Sequence, residues 1–167
     1  MTLPWKRRAG PEPVRVLMVC MGNICRSPTA EAALRRRARE AGLEDRVEVD
    51  SAGTSDYHVG SPPDRRSVAH AERRGLALQG LRARQVEARD FERFDVIFAM
   101  DADNLAYLEK LRPASSRARL GLLLDEAPGL GVREVPDPYY GGPEGFERVL
   151  DLVDAACSAF LATVARP

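Results

Sequence analysis

A thiol, a guanidinium and a hydroxyl fall close together in the run Cys20-Met21-Gly22-Asn23-Ile24-Cys25-Arg26-Ser27-Pro28. The run follows an apolar stretch, Val14 to Cys20, that reads as a buried strand, and it leads into a sequence that reads as a helix. Successive loop amides and an open helix N-terminus make an anion site, and phosphate is its usual occupant. The amides of Met21, Gly22, Asn23, Ile24, Cys25, Arg26 and Ser27 are then the expected phosphate cradle. Gly22 and Asn23 are residue types that tolerate the tight or left-handed backbone such a cradle needs. Arg26 offers a planar fork for two phosphate oxygens. The same field favours the thiolate form of Cys20, and the hydroxyl of Ser27 can hydrogen-bond that sulfur or cap the helix. A thiolate against a bound phosphate is a nucleophile placed for phosphoryl transfer.

Alternating strands and helices must position this loop. After the first strand, Ser27 to Ala41 reads as a helix with Pro28 at its first position and Gly42 beyond its end. Val47 to Ser51 reads as a strand, Asp64 to Arg74 as a helix stopped by Gly75, and Glu87 to Arg93 as a short helix. A strand over Asp95 to Met100, a helix over Asp101 to Leu111 and a strand over Leu120 to Leu124 follow. Gly129 to Gly142 is rich in Gly and Pro and reads as a loop. Pro143 to Val164 carries a clear helical period in Phe146, Val149, Leu150, Val153, Cys157, Phe160, Leu161 and Val164. The pattern predicts an α/β three-layer sandwich, a parallel sheet with helices on its faces, with the phosphate loop between strand 1 and helix 1. The basic run Arg35, Arg36, Arg37 and Arg39 is expected to be a solvated helix face.

Composition narrows the function. The chain has 167 residues, so about one domain is expected, over 14–167. Met1 to Pro13, with Pro4, Gly10, Pro11 and Pro13 and no apolar core, reads as a disordered tail and not as a secretory signal. Formal net charge is zero, which gives no general support to nucleic-acid or anionic-membrane binding. The apolar runs are far shorter than the ~18–20 residues of a membrane span. Three cysteines fit no disulfide framework and suit a reducing cytoplasm. Cys20 and Cys25 with Cys157, His58 and His70 do not make a closed zinc set, so no metal is expected, and the sequence carries neither common nucleotide-binding glycine motif.

The stretch Cys20 to Glu31 resembles the phosphate loop of the low-molecular-weight protein tyrosine phosphatases. The similarity continues through Val49-Asp50-Ser51-Ala52-Gly53-Thr54, Asp90 to Asp95, Ala99-Met100-Asp101 and Asp137-Pro138-Tyr139-Tyr140-Gly141, in collinear order from about Val14 to the end. The resemblance implies a four-stranded parallel sheet flanked by helices and no cofactor. It implies Cys20 as nucleophile, Arg26 as phosphate binder and transition-state stabiliser, and Asp137 as general acid. It makes Asn23 and Ser51 supports of the loop, with Ser27 keeping the thiol ionised. Tyr57, Tyr139 and Tyr140, with Ile24, would wall the substrate pocket. It further implies that Cys25 can trap oxidised Cys20 as a disulfide. Some members carry a histidine just before the glycine at Gly75 that supports the loop asparagine; Arg74 stands there in this chain.

The activity so implied is hydrolysis of phosphotyrosine in proteins through a phosphocysteine, with inorganic phosphate and other oxyanions as inhibitors. A bacterial-type tyrosine kinase is an expected substrate. Two other readings stay open: a protein arginine phosphatase and a non-catalytic phosphate-binding module. Relatives acting on phosphoarginine carry threonine where this chain has Ile24, and a non-catalytic module would not need Cys20, Arg26 and Asp137 together. Arsenate reduction on the same fold needs a further cysteine pair, and none lies between Cys25 and Cys157.

Overall fold

The computed structural model describes residues 12–166. Its frame is a four-stranded sheet, β1 (Val14–Cys20), β2 (Val47–Gly53), β3 (Val96–Ala99) and β4 (Arg119–Leu122), in the order β2-β1-β3-β4. All neighbours run parallel, with Val14 opposite Val47, Val16 opposite Val96 and Val96 opposite Arg119. The helices are α1 (Arg26–Glu40), α2 (Arg65–Arg73), α3 (Asp90–Arg93), α4 (Ala102–Leu111) and α5 (Pro143–Val164). Side chains alternate across a strand, and β1 divides its residues accordingly. Val16, Met18 and Cys20 join the core formed with α1 and α5, while Leu17 and Val19 join the opposite core with Phe91 and Leu108. A sheet covered on both faces accounts for the near-continuous apolar runs of β1 and β3.

Several boundaries differ from the sequence expectation. Helix α1 starts at Arg26 with Cys25 in the capping position and no side-chain cap, so Ser27 is not the cap. Its hydroxyl points to the preceding loop instead. Strand β2 runs on to Gly53, and β4 ends at Leu122, because Leu123 and Leu124 turn into a buried 3-10 segment. A short apolar run is equally compatible with either backbone. Asp64 and Asp101 sit outside their helices and cap them, accepting the N–H of Arg66 and Asn104 at 2.8 Å each. The α1 arginines are exposed or half-buried, but they engage this chain's own carboxylates: Arg35 with Glu31, Arg36 with Glu40, Arg37 with Asp154 and Arg39 with Glu44. Of the N-terminal segment expected to be a tail, residues 1–11 lie outside the described residues.

The fold fixes one end of the sheet as the place for chemistry. The strand order reverses at β1, whose neighbours β2 and β3 lie on either side, and ligands bind beyond the carboxyl ends of strands at such a point. Cys20 ends β1 there, and Asp101 follows β3 at the same edge.

Candidate active site

The loop from Cys20 to α1 is held by hydrogen bonds that converge on Asn23. Asn23 is the one non-glycine residue among those described with a positive φ, at 57°. A left-handed asparagine costs less than most side chains, but the strain persists only where the surroundings fix it. Its side-chain amide donates to Ser27 Oγ at 2.8 Å and to Ser51 Oγ at 2.9 Å, and its Oδ1 accepts the backbone N–H of Arg84 at 3.0 Å. Ser51 Oγ donates onward to the buried carboxylate of Glu31 at 2.7 Å. A carboxylate only accepts, so Glu31 sets the direction of the chain: Ser51 gives its proton to Glu31 and receives from Asn23. Asn23 also donates to Ser27, whose own hydroxyl proton has two acceptors within reach, Cys20 Sγ at 3.1 Å and the carbonyl of Ala52 at 3.3 Å. The backbone N–H of Asn23 donates to the same sulfur at 3.3 Å.

Arg26 is 3% exposed and lies between two carboxylates. One guanidinium nitrogen donates to Asp101 Oδ2 at 2.6 Å and to the carbonyl of Val135 at 3.0 Å, and the other is 3.7 Å from Asp137 Oδ2. Burial works against its charge, but Cys20, Asp101 and Asp137 outweigh burial and raise its pKa above the ordinary arginine value. Asp137 itself is exposed, its Oδ1 accepting the N–H of Tyr139 at 3.0 Å. Cys25 is buried and belongs to a small apolar cluster with Ile24, Ala83 and Phe146. Desolvation pushes its thiol up to about 12, against a hydrogen bond from Ser67. Cys25 is therefore a neutral thiol near neutral pH.

The open side of the loop is a cavity of about 210 Å³. The loop residues Cys20, Gly22, Ile24, Cys25 and Arg26 line it together with Tyr57, Asp137, Tyr139 and Tyr140. Met21 also lines it while remaining half exposed. The sequence-expected set is thus gathered in one place from β1, the segment after β2 and the loop before α5. Four contributors escaped the sequence reading as site residues. His58 lines the cavity, its ring edge-on to Tyr57 at 4.7 Å, whereas its sequence context suggests at most a metal ligand. Asp101 and Glu31 stood inside the quoted similarity without a role, and Arg84 supports Asn23 through a backbone N–H that no side-chain pattern advertises. Arg74 takes no part in the loop: it pairs with Glu147 and Asp151 and ties α2 to α5.

With this geometry in hand, the comparisons with known proteins are consistent at every level. Residues 15–167 match the sequence model of the family described as low molecular weight phosphotyrosine protein phosphatase. The chain is 45% identical over 153 residues to the low molecular weight protein-tyrosine-phosphatase of Streptomyces coelicolor, covering 90% of this chain and 93% of that one. It is 40% identical over 151 residues to the protein YfkJ of Bacillus subtilis, of the same description, covering 90% and 96%. Among solved structures, a protein tyrosine phosphatase of Entamoeba histolytica with Hepes in its active site superposes with a TM-score of 0.86 at 39% identity, over 90% of this chain and 96% of that one. A Drosophila arginine phosphatase superposes with a TM-score of 0.85 at 34% identity, over 90% and 98%. No helix among the described residues is long and apolar enough to cross a membrane. The phosphate loop, the sheet that carries it and the relatives that share both lead to one conclusion: this chain belongs to the low molecular weight phosphotyrosine protein phosphatase family.

Proposed function

We propose that this enzyme hydrolyses phosphotyrosine in proteins through a phosphocysteine intermediate, with Cys20 as nucleophile, Arg26 as phosphate clamp and Asp137 as general acid and base. The observation that carries the reading is the sulfur of Cys20, 3.1 Å from Ser27 Oγ and accepting the N–H of Asn23 at 3.3 Å, in a cavity that Arg26 and Asp137 also line. In the first step the Cys20 thiolate attacks phosphorus, an S–P bond forms and the P–O bond to the aryl group breaks. The Asp137 carboxyl gives its proton to the departing tyrosine oxygen, whose conjugate-acid pKa is about 10. In the second step the Asp137 carboxylate takes a proton from water as that water attacks phosphorus. The S–P bond breaks, and phosphate and the Cys20 thiolate are released. Arg26, desolvated and held by Asp101, faces the equatorial oxygens where charge concentrates.

Ile24, Tyr57, Tyr139 and Tyr140 give the cavity carbon-rich walls that suit a phenyl ring more than a serine or guanidinium stem. That supports phosphotyrosine over phosphoarginine, the main rival. Three cysteines present as thiols support a reducing compartment, the cytoplasm. A bacterial-type tyrosine kinase is the candidate protein substrate. The deciding measurement is turnover on matched phosphotyrosine, phosphoserine and phosphoarginine peptides. Phosphotyrosine should lead by about 5- to 150-fold, since unmatched polar atoms against apolar walls cost about 1–3 kcal/mol. A higher kcat/KM for phosphoarginine would overturn the substrate assignment, and no turnover at all would leave a binding module.

A further inference from the structure

The segment that begins α2 lies between the two halves of the site. The backbone N–H of Asp64 donates to the carbonyl of Ile24 in the phosphate loop at 2.8 Å. The carboxylate of Asp64 in turn holds Arg66 by three bonds: the backbone N–H at 2.8 Å, Nε at 3.1 Å and one terminal nitrogen at 3.0 Å. So fixed, the Arg66 guanidinium lies 5.4 Å from the ring centre of Tyr139 and 4.8 Å from that of Phe146. Phe146 is the buried residue of α5 that packs under Ile24 and Cys25. Tyr139 is two residues beyond Asp137 and gives its N–H to the Asp137 carboxylate. A continuous set of contacts therefore runs from the phosphate loop through Asp64 and Arg66 to the loop that carries the acid.

We propose that Arg66 is a positioning residue for Asp137, bracing the acid loop through Tyr139 against the phosphate-loop underlayer at Phe146. The inference rests on the assignment of Asp137 as general acid. The chemistry of Arg66 suits the task. A planar cation can lie against two ring faces while its edge makes a two-pronged bond to a carboxylate, which a lysine ammonium cannot do as well. Because Asp64 already compensates the charge, Arg66 acts as a brace and not as a free cation recruiting acidic substrates. Arg66 makes no bond to the Cys20 sulfur, and its effect is expected at the step that needs the acid, with iodoacetate inactivation reporting any effect passed to the phosphate loop through Asp64 or Phe146.

The test is single-turnover phosphorylation of Cys20 by a phosphotyrosine peptide and by para-nitrophenyl phosphate, whose anion leaves without protonation. Wild type, Arg66→Met, Arg66→Lys, Asp137→Asn and the Arg66→Met/Asp137→Asn double variant are compared, with iodoacetate inactivation of Cys20 as the measure of an intact phosphate loop. Arg66→Met should slow the phosphotyrosine reaction about 3- to 10-fold, the size expected for losing two cation–ring contacts of a partly exposed arginine, with less than about 2-fold on the nitrophenyl ester. Iodoacetate inactivation should stay at the wild-type rate, Arg66→Lys should recover part of the loss, and the double variant should be no slower than Asp137→Asn. A loss equal for both leaving groups, a further loss in the Asp137→Asn background or no loss at all would overturn the proposal. An Asp137→Asn variant that itself slows both substrates equally is a separate pattern: it removes Asp137 from the acid role, and Arg66 with it.

Discussion

The two loops that meet at the cavity are built in opposite ways. From Asn23 to Ser27 every residue is buried, and the left-handed Asn23 joins four partners drawn from β1, β2, α1 and the segment around Arg84. From Pro136 to Tyr140 only Pro138 is buried, and the Asp137 carboxylate accepts the backbone N–H of Tyr139, two residues away. The phosphate loop is pre-organised: its donors stand in position before phosphate arrives, so little reorganisation accompanies charge development. A segment with few buried contacts and exposed backbone bonds opens at low free-energy cost. The difference teaches a division of labour. On the proposed mechanism, the nucleophile and phosphate clamp must be in place at every turnover, whereas the acid must let a protein-bound tyrosine in and then out.

The harshest way to break the comparison is to remove the nucleophile. Cys20→Ser should have no measurable phosphotyrosine turnover, because a serine hydroxyl without a base is a poor nucleophile. The cradle should survive, since Asn23, Ser27 and Arg26 are held without the sulfur. Phosphate or vanadate should therefore still raise the Tm of the variant, as any ligand of the folded state does. Turnover in a pure Cys20→Ser preparation would remove the nucleophile assignment.

On the other loop, Asp137→Asn keeps the shape and loses the proton. General acid catalysis is typically worth ~10²–10⁴-fold, and the phosphotyrosine rate should fall within that range. With para-nitrophenyl phosphate the loss in the phosphorylation step should be far smaller, and burst kinetics must be used because steady-state rates can report phosphocysteine hydrolysis. The variant should fold with wild-type stability within about 0.5 kcal/mol, as expected of an exposed position.

A milder change, Asn23→Ala, should do what Asp137→Asn does not. It leaves Ser27, Ser51 and the buried Arg84 N–H without a shared partner, each lost bond costing about 1–3 kcal/mol where no water replaces it. Alanine also has no means to ease the 57° φ, a cost of about 1–2 kcal/mol. Asn23→Gly removes the second cost and keeps the first. Urea denaturation should rank wild type above Asn23→Gly and Asn23→Ala, while both variants lose activity through Cys20. Equal stability of all three would mean the network is incidental. Gly53→Ala probes the same loop from β2, since a Cβ there would meet the carbonyl of Met21 at 2.6 Å and backbone must move.

How much of this was legible from the sequence follows the same division. The phosphate loop is contiguous, so residue types at fixed spacing name Cys20, Arg26 and Ser27 and the anion they face. Strand β1 and helix α5 were legible for a similar reason, their apolar periods being long. Asp137 was not: an Asp-Pro pair reads equally as a turn, and only collinear resemblance put it opposite a cysteine 117 positions earlier. Asp101, Glu31 and Arg84 were hidden differently. Each looks like an ordinary cap or surface ion in its own segment, and their roles arise where three separate elements converge on Arg26 and Asn23. The expected cap role of Ser27 failed because the same hydroxyl had a better use at the sulfur.

The smallest effect on turnover and the sharpest contrast within one loop concern Cys20 and Cys25. Burial raises Cys25 to about 12, so its neutral thiol is the dominant form at every lower pH, and only Cys20 should be alkylated by iodoacetate between about pH 7 and 9. Peroxide should follow the same order and convert Cys20 to a sulfenic acid. The Cys25 thiol lines the same cavity and can then condense with it, the S–O bond breaking, an S–S bond forming and water leaving. A neutral thiol attacks slowly, so this protection should hold at low peroxide and fail at high peroxide, where a second oxidation to sulfinic acid outruns it. Wild type treated at low peroxide should regain activity on adding a dithiol, and Cys25→Ala should regain much less of its own starting activity. Equal fractional recovery in the two proteins would show that Cys25 serves the loop through packing against Ile24 and Phe146 alone.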